Sequence, residues 1–367
     1  MTELILNPPH ELQAFSNPLK LKFRRRLLTW YDAHARDLPW RASRDPYRVW
    51  LSEIMLQQTR VAAVIEHYQE FLRRFPTVEK LAAAREASVL ASWSGLGYYR
   101  RARMLHAAAK VLVREHGGEF PATDEGLRAL PGIGRYTAAA IASIAFGEPV
   151  AVVDGNVERV LQRISGKRLA GEELWTTAGN LLDAERPGDF NQAMMELGAV
   201  VCTPRAPACL TCPLIKLCAT RGEFPATTKS APQKKREIHY ALNFRNRDCP
   251  NGDCRSGDRR NGEVFLVQRT RDLSLMPGMW ELPELTDLHG TDSPLFTLRH
   301  SITVTDYTVQ VWQTATTEHV SGKWIPQARL KQVALTGLAR KILRKAAMLR
   351  GEIQAPPAAV FLPHHLK

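Results

Sequence analysis

The stretch Leu130-Pro-Gly-Ile-Gly-Arg-Tyr-Thr137 decides how the first half of this chain folds. Gly132 and Gly134 lack Cβ atoms, so the backbone there can turn sharply and approach a partner closely. Helical patterns lie on both sides, and the stretch reads as a helix–hairpin–helix. Amide groups left free at the start of the following helix suit a phosphate. Shortly afterwards comes Val153-Asp-Gly-Asn-Val157. Asp154 is expected to open another helix, where the positive end of the dipole favours its ionised form. Either piece alone is equally a structural turn or an ordinary helix cap. Together they suit docking on a phosphate backbone beside a sugar that acquires positive charge.

Working outward, helical periodicity covers almost everything from Leu19 to Cys202. It predicts Lys20–His34, a Pro39-Trp40-Arg41 turn, one long helix from Val49 to Phe75, then Glu79–Trp93, Arg100–Glu115, Glu125–Leu130, Tyr136–Phe146, Val157–Ile164, Glu172–Asp183 and Asn191–Val201. The expected organisation is an all-α domain over 19–221 and a Pro-, Thr-, Lys- and Ser-rich linker over 222–236. An α+β domain over 237–350 and an unstructured tail over 351–367 follow. Strand patterns in the α+β part are Ile238–Phe244, Val264–Gln268, Leu298–Val304, Tyr307–Trp312 and Gly322–Ile325, with helical patches around Val333–Leu335 and over Leu338–Met348. A polar insertion from Arg245 to Gly262 holds Cys249 and Cys254, a pair that either binds a metal or is incidental.

The 367 residues carry 50 Lys and Arg against 37 Asp and Glu, a formal charge of +13, which favours a polyanionic partner such as nucleic acid over an anionic lipid surface. Hydrophobic and charged contents of 44% and 24% are ordinary globular values and exclude a disordered chain. No apolar run approaches membrane-spanning length, so no membrane partner and a cytoplasmic location are expected, beside the nucleoid if the source is bacterial. In that compartment thiols stay reduced, and clustered cysteines are ligands more often than disulfides. Cys202, Cys209, Cys212 and Cys218 follow a C-x6-C-x2-C-x5-C pattern. Four thiolates this close can surround a zinc ion or an iron–sulfur cluster, and spacing alone does not choose. Arg205, Lys216 and Arg221 flank the loop.

The cysteine spacing, after the LPGIG hairpin and the VDGNV segment, resembles the endonuclease III superfamily of DNA glycosylases, over roughly Phe23 to Arg221. The resemblance implies a 4Fe–4S cluster on the four cysteines and double-stranded DNA as partner, contacted by Gly132 and Gly134. Bifunctional members carry a Lys nucleophile immediately after the hairpin glycines and Arg; this chain has Tyr136, which cannot form a Schiff base. Glu53, followed by Gln57-Gln58-Thr59, resembles the MutY-type adenine DNA glycosylases. That branch implies a monofunctional, monomeric enzyme removing adenine opposite 8-oxoguanine or guanine. Glycosidic cleavage calls for two carboxyl groups with different tasks. Glu53 is the expected general acid, its pKa raised by apolar neighbours, and Asp154 the anion facing the electron-poor sugar. By the same resemblance Tyr136 and Asn156 support them, Trp40, Arg41 and Glu196 line the adenine pocket, and Leu56, Gln58 and Thr59 face the lesion pair. Tyr98, on a Gly-flanked turn, wedges beside the oxidised guanine.

The C-terminal part resembles the Nudix-like module of these enzymes through Val264–Arg269 and Met276–Pro283. No Arg-Glu-x2-Glu-Glu run follows, so a reader of the damaged base is expected, not a second hydrolase. Where the family has Phe-Ser-His, this chain has Ile302-Thr-Val304, which leaves Thr303, Ser301 or His300 for that contact. The competing readings are a bifunctional glycosylase/lyase, a non-catalytic helix–hairpin–helix DNA-binding protein and a nucleotide pyrophosphohydrolase.

Overall fold

The computed structural model describes residues 16–223, 234–246, 262–273, 275–285, 293–302, 305–313 and 320–348. Their contacts gather into two compact units, one holding 16–84 with 100–223, the other 85–99 with the described residues from 234 onward. The segment 85–99, expected within the helical domain, therefore packs with the C-terminal residues.

The first unit is helical: α1 (Asn17–His34), α2 (Pro46–Leu56), α3 (Val61–Arg74) and α4 (Val78–Ala82). After the segment 85–99, which carries α5 (Glu86–Trp93), it resumes with α6 (Arg100–His116), α7 (Asp124–Arg128), α8 (Arg135–Ala145), α9 (Gly155–Ser165), α10 (Gly171–Leu181) and α11 (Pro187–Val200). Pro46 and the Asp45 side chain, which accepts from Arg48 N at 3.0 Å, start α2. Phe23, Leu27, Leu28 and Tyr31 make one buried face of α1. That face joins Val157, Leu161, Leu181, Phe190, Met194 and Leu197 in a core shared with α9, α10 and α11.

Two expected helices are each broken in two. The stretch from Val49 to Phe75 is interrupted between α2 and α3, where Gln58 takes the left-handed conformation at φ +55°. The reason is a distant guanidinium. Arg101 Nη1 donates to the carbonyls of Ile54 (2.8 Å), Met55 (3.0 Å) and Gln57 (2.5 Å), satisfying the helix end so that it can stop without Gly or Pro. Glu79–Trp93 likewise divides into α4 and α5, with Arg85 extended at the start of α5.

The hairpin joins α7 to α8. Gly132 is left-handed at φ +76°, and a Cβ there would lie 2.5 Å from Met104 Cβ, so no other residue fits without displacement. Gly134 is extended and opens α8 without a side-chain cap.

The second unit contains α5, β1 (Lys234–Leu242), β2 (Phe244–Asn246), β3 (Gly262–Gln268), β4 (Trp280–Glu281), β5 (Phe296–Ile302), β6 (Thr305–Gln313), β7 (Lys323–Pro326) and α12 (Gly337–Lys345). One sheet runs β1-β6-β5, with β1 parallel and β5 antiparallel to β6; in the other, β3 pairs antiparallel with β2, β4 and β7. Leu242, Val264, Leu266, Val309 and Val311 share a core with Leu338, Ile342 and Leu343 of α12. The patch around Val333–Leu335 is not helical: Leu335 bridges to Trp280, and a 3-10 turn covers Gln327–Gln332 instead. β1 begins at Lys234, inside the stretch expected as linker. Thr303, Val304, Cys249 and Cys254 lie outside the described residues.

Candidate active site

Helices α2, α8, α9 and α11 and the segment before α2 wall a cleft of about 640 Å³. Glu53, in the buried α2, is only 6% exposed. Tyr136, in the first turn of α8, donates its phenol proton to Glu53 Oε2 at 2.5 Å. Burial, the largest influence, pushes the Glu53 carboxyl up to about 7; the Tyr136 hydrogen bond lowers it, the Asp154 charge raises it and Arg41 lowers it. Burial followed by the charges of Glu53 and Asp154 holds the Tyr136 phenol well above its ordinary value, so it remains a donor.

Asp154 is the N-cap of α9. Its Oδ1 accepts from the backbone amides of Asn156 (2.9 Å) and Val157 (2.7 Å), and its Oδ2 from Asn156 Nδ2 (2.8 Å). The carboxylate is thereby oriented by the helix it caps. Asn156 is held from behind, because Arg159 Nη2 donates to its Oδ1 at 2.8 Å and to Gly198 O at 2.7 Å. A Cβ on Gly198 would meet Asn156 Cβ at 2.6 Å, so the glycine permits this close approach of α9 and α11.

Glu196, 1% exposed, accepts from Arg36 Nε (2.6 Å), Arg36 Nη2 (2.7 Å) and Arg41 Nη2 (2.8 Å). Burial alone would raise its carboxyl, but the two guanidinium groups outweigh that and hold it down at about 2. Trp40 is both core and wall: it packs edge-on against Tyr68 at 5.5 Å and still borders the cleft. At the mouth, Gln57 Nε2 donates to Thr137 Oγ1 at 3.2 Å, and Arg101 Nη2 donates to Thr59 Oγ1 at 3.1 Å.

Trp40, Arg41, Glu53, Leu56, Gln58, Thr59, Tyr136, Asp154, Asn156 and Glu196, singled out in the sequence, all border this one cleft. Gly132 and Gly134 are exposed on the α7–α8 hairpin and are not part of its wall. Ser301, on β5, donates to Asp306 Oδ1 at 2.5 Å. Arg36, Arg101, Arg159 and Met195 were not foreseen; the arginines lie in charge-rich helical or loop stretches where a cation reads as solvated.

Residues 51–173, which carry Glu53, the hairpin and Asp154, match the family described as HhH-GPD superfamily base excision DNA repair protein. The chain belongs to that superfamily, in its MutY-type branch. It is 51% identical over 214 residues to a human protein named adenine DNA glycosylase, covering 54% of this chain and 39% of that one. An adenine DNA glycosylase from Arabidopsis thaliana is 38% identical over 333 residues, 79% of this chain and 51% of its own. The chain thus spans about half or less of the length of these two relatives. A solved thermostable thymine-DNA glycosylase is 32% identical with a TM-score of 0.53, covering 56% of this chain and 97% of that one.

In this HhH-GPD chain, Cys202, Cys209, Cys212 and Cys218 line one further cavity, floored by Val160, Ile164, Leu197, Val201 and Leu214. Arg163, 3% exposed, donates to Cys202 Sγ at 3.3 Å and to Thr203 O at 2.7 Å. Arg159 Nε donates to Cys202 O at 2.8 Å, which ties the cysteine loop to the helix capped by Asp154. Arg205, Lys216 and Arg221 are exposed around the loop. Among the described residues, no three His, Cys, Asp or Glu side chains converge closely enough to hold a single ion. Also among them, no helix is long and apolar enough to cross a membrane.

Proposed function

We propose that the chain is a monofunctional adenine DNA glycosylase that removes adenine paired with 8-oxoguanine or guanine. One observation carries the reading: a buried carboxyl, pushed up to about 7 and hydrogen-bonded by the Tyr136 phenol, borders the same cleft as a helix-capping carboxylate. Near neutral pH a large fraction of Glu53 is protonated and can give its proton to a ring nitrogen of an extruded adenine. The C1′–N9 bond then breaks with its electron pair moving to the purine. Asp154 stabilises the oxocarbenium-like sugar, water adds at C1′, and its proton leaves to solvent or to a neighbouring base. Tyr136 orients Glu53, and Asn156 holds Asp154. Trp40, Arg41 and the Arg36–Glu196 pair form the adenine end, while Leu56, Gln58 and Thr59 meet the lesion pair. Because Tyr136 holds the place of a lysine nucleophile, no Schiff base forms and no strand cleavage follows.

Double-stranded DNA is the partner, held by the α8 amides behind Gly132 and Gly134 and by the net charge of +13. The enzyme works as a monomer, in the cytoplasm and, in a bacterium, at the nucleoid. The second unit is a Nudix-like reader in which Tyr98, Ser301 and Thr303 inspect the damaged guanine. A 4Fe–4S cluster would be held by Cys202, Cys209, Cys212 and Cys218, which border one apolar-floored cavity beside the guanidinium of Arg163. When bound it supplies rigidity and charge at the DNA-facing loop. The glycosylase domain is taken over 19–221 less 85–99, which packs in the unit of the reader, and the reader domain starts with β1 at Lys234.

The test is single-turnover release of free adenine from a duplex with one 8-oxoguanine·adenine pair. Glu53→Gln and Asp154→Asn should each abolish release while DNA binding survives. Full release by either variant, or a borohydride-trapped covalent adduct with the wild type, would overturn the assignment.

A further inference from the structure

The turn that carries Tyr98 is held at both ends by one carbonyl group of the C-terminal residues. After α5 the chain runs Ser94-Gly-Leu-Gly-Tyr-Tyr99, with Gly95 and Gly97 at φ +116° and +71° and Tyr98 left-handed at φ +47°. That conformation is unfavourable for a tyrosine and persists only where its surroundings enforce it. Ser94 Oγ and Tyr99 OH each donate to Leu335 O at 2.9 Å. A carbonyl has two lone pairs and can accept both. Tyr99 OH also stands 3.5 Å from Ser94 Oγ, but its single proton goes to the nearer carbonyl.

Arg340 Nε donates to Ser94 Oγ at 3.0 Å, completing the clamp from α12. Ser94, Tyr99, Leu335 and Arg340 are all buried, whereas Tyr98 between the clamped ends is 50% exposed. Leu335 is itself pinned: Trp280 N donates to Ala334 O and Thr336 N to Trp280 O, both at 2.9 Å, and Thr336 Oγ1 caps α12.

We propose that the Leu335 carbonyl and the Arg340 guanidinium position Tyr98 for insertion beside the lesion pair. Residues distant in sequence then set the efficiency of adenine release through this one turn. The inference rests on the glycosylase reading above. Tyr99 and Arg340 are positioning residues that act through Tyr98.

A double-mutant cycle tests it on the full chain, with a duplex carrying one 8-oxoguanine·adenine pair and 2-aminopurine next to the 8-oxoguanine. Tyr99→Phe keeps the ring and removes one donor. It should lower single-turnover kcat/KM about fivefold, the effect of one ordinary hydrogen bond. In a Tyr98→Ala background the same change should cost less than about twofold. The 2-aminopurine fluorescence rise that reports unstacking on binding should fall by about half or more in Tyr99→Phe and in Arg340→Leu, and Arg340→Lys should restore most of it. Equal losses in both Tyr98 backgrounds, or an unchanged fluorescence rise, would make the clamp purely structural and overturn the proposal. A wild-type chain that releases no adenine would instead bring down the glycosylase reading, an outcome that no comparison of Tyr98 backgrounds can mimic.

Discussion

Glu53→Gln should stabilise this protein at alkaline pH while destroying the proposed activity. Burial lifts the Glu53 carboxyl from 4.5 to about 7. At 1.36 kcal/mol for each pH unit of difference, ionising it in place costs the folded state about 3 kcal/mol. The sign follows from proton linkage. Between 4.5 and about 7 the folded state keeps a proton that the unfolded state has released, so the contribution of Glu53 is whole below pH 4.5 and is lost as pH rises through 7. Glutamine does not ionise, and its carbonyl can still accept from Tyr136.

The variant should therefore match the wild type within about 1 kcal/mol at pH 4 and exceed it by about 2–3 kcal/mol at pH 8. The corresponding gain in melting temperature of the helical unit is about 5–10 °C. Thermal unfolding followed by circular dichroism at half-unit steps of pH measures the difference, in which groups common to both proteins cancel. A difference that does not change with pH, or that shrinks as pH rises, would refute the claim that a buried carboxyl is held uncharged here.

Further outcomes follow from the same geometry. Tyr136→Phe removes a hydrogen bond that favours ionised Glu53, so the alkaline limb of adenine release should move up by about one pH unit; an unmoved limb in a pH–rate profile contradicts the contact. Glu196→Gln strands two guanidinium groups and should cost about 3 kcal/mol at pH 7, read by urea unfolding. Because Glu196 titrates at about 2, its contribution is present above 4.5 and lost as pH falls toward 2, and the penalty of the variant should shrink over that range. Arg101→Met removes the donor to three carbonyls of the α2 end and should cost about 2–3 kcal/mol. Gln58→Gly should recover about 1 kcal/mol of left-handed strain while weakening binding to the duplex.

Short-range chemistry was legible in the amino-acid order. Gly132 takes a positive φ that favours glycine, and Asp154, itself extended, caps the helix starting at Gly155 by accepting from the amides of Asn156 and Val157. The amphipathic faces of α1 and α9 appear at their helical spacing. Breaks such as that at Gln57–Arg60 left no local signature, since the group that ends α2 is Arg101, more than forty positions away (|i−j| = 44 from Gln57).

By itself the sequence determined which carboxyl groups, which hairpin and which four thiols were available, because caps, turns and ligand spacing depend on neighbours within a few residues. Only the tertiary structure decided that Glu53 is buried against Tyr136, that Glu196 is locked between Arg36 and Arg41, and that Leu335 and Arg340 hold the turn of Tyr98. Those properties arise from desolvation and from partners brought together across 83 to 246 positions of chain, distances over which no periodicity carries information.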